Sequence, residues 1–103
     1  GAALAAETAR GWLTTSVAVS TQTSTPVPQG NFPGRFRVDM LNPTPYAVHI
    51  GTWQFPAGNT ATYTIAGGSG TLSLPLASGT TIWAIGMSQE TVGSVTIRVL
   101  ELK

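Results

Sequence analysis

The chain reads as all-β: a single β-sandwich or jelly-roll-like domain of about six to eight antiparallel strands, preceded by an N-terminal arm. Three observations predict this. Short runs rich in Val, Ile, Thr and aromatics alternate apolar with polar residues, the period of a strand with one buried face. Gly, Pro and Asn clusters separate these runs at roughly 8–12-residue spacing, as in sandwiches and barrels. Finally, nothing in the pattern alternates strand with long helix, so a parallel α/β sheet is not expected.

Composition agrees. The chain has 103 residues, enough for one domain with one modest core. Hydrophobic residues make up 42% and charged residues only 9%, against about 25% charged in a typical soluble domain. Ser, Thr, Gly and Ala take the place of charge, a mixture that suits pleated surface better than helix.

Residues 2–10 are good helix formers and Gly11 stops them. Nine residues are too few to hold an isolated helix in water, so the segment is either a short docked helix or an extended arm. Trp12 and Leu13 are expected to anchor it. Residues 16–22 alternate weakly as a first strand. Residues 24–34 hold Pro26, Pro28, Pro33, Gly30 and Gly34 and read as an extended loop. Residues 1–34 are therefore assigned to the arm and residues 35–103 to the sandwich.

From Arg35 the strand signal strengthens. Phe36, Val38 and Met40 are expected on the inner face, with Arg35, Arg37 and Asp39 opposite them. Asn42, Pro43, Thr44 and Pro45 interrupt, since proline cannot join a central ladder. Residues 46–55 resume with Tyr46, Val48 and Ile50 on one side. After a turn at 56–59, residues 60–66 place Ala61, Tyr63 and Ile65 together. A GGSG turn leads to Leu72, Leu74 and Leu76. Residues 80–86 form the next strand, and after a Gln89–Gly93 turn the last one places Val95, Ile97 and Val99 inward with Thr96 and Arg98 outward.

Little in the chain points to chemistry. Cysteine is absent, which removes disulfides, thiolate metal sites and thiol catalysis. The one histidine, His49, sits mid-strand, facing away from Val48 and Ile50. No serine stands in a G-x-S-x-G elbow. The four acids, Glu7, Asp39, Glu90 and Glu101, are too dispersed to suggest a glycosidase pair or a metal cage. The five basic residues are scattered and the net charge is +1, so no electrostatic footprint for nucleic acid appears. No apolar run approaches the roughly 18 residues a membrane helix needs, and the N-terminus lacks a signal-peptide pattern. The expectation is a non-enzymatic protein without cofactor or metal, with neither nucleic acid nor membrane as partner.

The aromatics carry more. Trp12, Phe32, Trp53, Phe55 and Trp83 include several that fall off the alternating core pattern. They either cap the ends of the sandwich or mark an interface, where aromatics are enriched. In the run TIWAIG both faces are apolar: Ile82 and Ala84 on one, Trp83 and Ile85 on the other. A Trp83–Ile85–Met87 stripe left bare would be an association site. A neighbouring subunit is expected to cover it, assisted by residues 1–34. The interface candidates are thus Trp12, Leu13, Phe32, Trp53, Phe55, Trp83, Ile85 and Met87, in a closed trimer or dimer.

VHIG (48–51), LPLASG (74–79), TIWAIG (81–86) and VTIRVLE (95–101) together resemble a small β-module of tailed-bacteriophage virion structural proteins. The likeness spans residues 46–103. It departs from the usual pattern between Ile50 and Leu74, where TATYTIA adds a strand. The resemblance implies a capsid decoration protein on the virion exterior, made in the host cytoplasm, that binds the major capsid protein and its own copies. The alternative is a tail-fibre or receptor-binding module that recognises host-surface carbohydrate through Trp53, Phe55 or Trp83.

Overall fold

The computed structural model describes residues 11–28, 32–52, 63–87 and 93–103. These form eight strands: β1 (Trp12–Ser20), β2 (Thr25–Val27), β3 (Arg37–Asn42), β4 (Val48–Gly51), β5 (Tyr63–Ile65), β6 (Gly70–Pro75), β7 (Ile82–Gly86) and β8 (Ser94–Leu102). One sheet has the order β1-β8-β3-β6 and the other β2-β7-β4-β5. Every pairing is antiparallel. The pairs β1/β8, β2/β7, β3/β6 and β4/β5 nest inside one another, as in one long hairpin rolled into two layers. That is the jelly-roll arrangement.

The core lies between the sheets and is built by alternation. Val17 and Val19 of β1, Val38 and Met40 of β3, and Val95, Ile97 and Val99 of β8 point inward from the first sheet. Val27, Val48, Ile50, Ile65, Ile82 and Ala84 meet them from the second. Tyr46, Leu72 and Leu74 pack at its margin, while Leu76 is buried within it. Gly86 is required by this packing. A Cβ there would stand 2.8 Å from Val95 Cγ2 and 3.2 Å from Thr21 Cγ2, closer than side chains tolerate.

The polar turn after β3 is held by one side chain. Asn42 is fully buried, and its Nδ2 donates to the carbonyls of Tyr46 at 2.6 Å and Ile65 at 3.3 Å. Its Oδ1 accepts from the Thr44 backbone N–H and hydroxyl. A buried amide is tolerable only when paired in this way.

Several boundaries differ from expectation. The first strand begins at Trp12 rather than at 16 and pairs with β8 along its whole length. Trp12 and Leu13 are therefore ladder residues, not anchors of a separate arm. The proline-rich loop contributes β2, whose Pro26 is accommodated because β2 pairs with β7 alone and lies at a sheet edge. Residues 12–27 thus belong to both sheets, and a boundary at 34 cuts through the sandwich. Residues 2–10, expected as a docked helix or an extended arm, lie outside the described residues, as do 53–62 of the expected third and fourth strands and the turn between them. The alternation also slips by one residue ahead of β3. Phe36 is 58% exposed and Arg35 is buried, the reverse of what the pattern suggested.

Candidate functional site

The slip at Arg35 has a local cause. Its guanidinium turns under the β6–β7 turn and makes four hydrogen bonds. Nη1 pairs with Glu101 Oε1 at 2.6 Å, Nε donates to the Leu76 carbonyl at 3.1 Å, and Nη2 donates to those of Ala77 and Thr80 at 2.8 and 2.7 Å. Both side chains are 1% exposed. Glu101 points inward because it continues the face of Val95, Ile97 and Val99. Its Oε2 has no hydrogen-bond partner among the described residues. Arg35 thereby clamps a surface turn to the end of β8, and the pair is enclosed rather than open to a substrate.

The expected interface residues fall into three groups. Trp12, Leu13 and Trp83 are half-buried, and Met87 is 44% exposed. Phe32 and Ile85 are buried. Trp53 and Phe55 lie outside the described residues. Ile85 corrects the reading of TIWAIG. It does lie on the outer face of its sheet, opposite His49, but it is only 1% exposed in a single chain. Cover from the chain itself hides the middle of that stripe, so no neighbouring subunit is needed there. Phe32 is likewise spent within the chain, with the Lys103 ammonium 5.6 Å from its ring centroid. That contact is a cation–π interaction. His49 is half-buried with Nδ1 3.2 Å from Thr64 Oγ1.

Accessible apolar surface also lies on the other sheet. The register places three rows across the outer face of β1-β8-β3-β6. They are Trp12–Leu102–Arg37–Pro75, Thr14–Leu100–Asp39–Ser73 and Ser16–Arg98–Leu41–Thr71. Trp12, Leu102, Leu100 and Leu41 are half-buried and run obliquely across these rows, with the exposed Phe36 at the Arg37 end. Two shallow clefts of about 390 Å³ each open on this face. One is lined by Phe36, Arg37, Leu74 and Pro75, the other by Thr14, Asp39, Leu41, Thr71, Arg98 and Leu100. Ser73 borders both.

A polar ridge divides the clefts. Arg37 Nε donates to Asp39 Oδ1 at 2.9 Å, the Ser73 hydroxyl donates to the same oxygen at 2.6 Å, and Arg37 Nη2 reaches Ser73 Oγ at 3.3 Å. The ridge neutralises its own charges. Arg98, by contrast, is exposed and has no ion pair or hydrogen bond among the described residues.

No family model, curated protein or solved structure matches this chain. The face itself is therefore the guide to function. Among the described residues no three His, Cys, Asp or Glu side chains gather where they could hold a metal ion. Among the described residues no helix is long and apolar enough to cross a membrane. The outer face of the first sheet presents half-buried leucines flanked by hydroxyls and the exposed Arg98.

Of this face only Trp12 was among the sequence-based candidates, although a signal for its leucines existed. Extending the alternation of Val95, Ile97 and Val99 by two steps sends Glu101 inward and Leu100 and Leu102 outward.

Proposed function

We propose that the protein is a non-enzymatic structural component of a bacteriophage virion. In this reading it is a capsid decoration protein that binds the assembled lattice of the major capsid protein as an oligomer. The observation that carries the reading is the oblique line of Trp12, Leu102, Leu100 and Leu41 on an outer sheet face. Apolar surface placed outside a sandwich favours association over solvation. The jelly-roll strand order lends support, because capsid and lectin domains share it, although a fold alone does not assign a function. The segments that resemble phage modules coincide with β4, the β6–β7 turn, β7 and β8.

Mechanistically, the first sheet's outer face meets the lattice, and Trp83 and Met87 on the second sheet serve contacts between copies. Binding the assembled shell and not its free subunits stabilises the shell in proportion to occupancy. Cryo-electron microscopy of the particle that carries this chain is the test. Density for the sandwich on the outer lattice, with β1 and β8 toward the shell, is the expected result. Its location on a tail tip, together with tight binding of the isolated protein to a glycan array, would replace this reading with carbohydrate recognition.

A further inference from the structure

Arg98 stands out on the binding face because every other described charge near it is already satisfied. Asp39 is held by Arg37 and Ser73, and Glu101 is buried against Arg35. Arg98 lies directly across from Leu41 and two residues from Leu100 on the same face of β8. An uncompensated guanidinium between two leucines is suited to a group that brings both a negative charge and an aliphatic neighbour. We propose that this cleft is a docking site for an extended, acidic polypeptide segment of another protein, with a carboxylate on Arg98 and an aliphatic side chain between Leu41 and Leu100.

The geometry favours an extended segment. Same-side residues in a strand repeat at roughly 7 Å, the interval between Arg98 and Leu100 along β8. A peptide laid along β8 with acid and aliphatic residues two apart therefore meets both features at once. The planar guanidinium can grip a carboxylate with two parallel hydrogen bonds. A second copy would have to bring Glu7 or Glu90, since Asp39 and Glu101 are committed to arginines of their own chain. The docking chemistry does not depend on whether the partner belongs to a virion.

Nuclear magnetic resonance titration of the isotopically labelled full chain tests it. The probe is an octapeptide alternating Glu and Val, compared with one alternating Gln and Val. The Glu peptide should shift the backbone amides of residues 39–41, 71–73 and 97–100, and added salt should weaken the effect. Arg98→Ala should reduce affinity roughly two- to fivefold, as for an exposed ion pair. Arg98→Lys should retain part of it. Unchanged thermal unfolding would show that neither variant acts through the fold. Equal binding of the Gln peptide, shifts that map elsewhere, or silence with both peptides would overturn the proposal. So would protection of Arg98 by self-association in sedimentation, or displacement of the peptide by an uncharged oligosaccharide.

Discussion

Arg35 and Glu101 illustrate what a buried charge pair does in a small sandwich. Desolvating two charges is costly, and their mutual attraction offsets this only when the remaining groups are also satisfied. Arg35 meets that condition by donating to three backbone carbonyls as well as to Glu101. Arg35→Met should lower stability by about 3–5 kcal/mol, because Glu101 would be left charged and buried. Urea unfolding is the measurement. The double variant Arg35→Met/Glu101→Leu should recover part of the loss. It should remain below the parent, since the carbonyls of Leu76, Ala77 and Thr80 would still lack their donor. A double variant as stable as the parent would mean that the turn needs no clamp. Neither residue was recognisable as a partner beforehand. Glu101 could be placed inward by alternation, but Arg35 lies 66 positions away, and its own alternation pointed the wrong way.

At the scale of elements, β7 is held from both sides and buried almost throughout. It pairs with β2 on one side and β4 on the other, and all its residues except Trp83 are buried. Its final residue, Gly86, lets Val95 of the facing sheet approach. Gly86→Val should cost about 1–3 kcal/mol through overpacking and should be partly rescued by Val95→Ala, which removes the nearest methyl groups. Thermal unfolding of the two single variants and the double would reveal this coupling, and strict additivity would refute it. The double apolar pattern of TIWAIG was plain in the sequence. Its cause was not, because the pattern says that both faces are covered without saying by what. β1 shows the opposite difficulty: Trp12–Ser20 alternates only weakly, and nine ladder positions with β8 compensate.

For the molecule as a whole, the jelly-roll order brings the two ends of the described chain together. The Lys103 amide donates to the Gly11 carbonyl at 2.9 Å, and β1 lies beside β8. Accessible apolar surface remains on the outside of both sheets, and the proposed function gives the two faces different tasks. If copies associate through the second sheet, replacing Trp83 with Ser and Met87 with Lys should shift the protein toward monomer in sedimentation velocity. The proposed attachment to shells through the first sheet should then weaken only by the lost avidity. Loss of folding on circular dichroism, or an unchanged oligomer, would remove Trp83 and Met87 from that role.

The amino-acid sequence by itself determined the all-β class, the turns around Gly68 and Gly79, and which residues of β3, β4, β6 and β8 form the core. Those features follow from local alternation and from the backbone limits of proline and glycine. Only the tertiary structure decided that Arg35 is buried, that Ile85 is covered by its own chain, and that Leu41, Arg98 and Leu100 share an open face. Each of these depends on strands distant in sequence being brought side by side, and a period of two residues carries no record of which strand lies alongside.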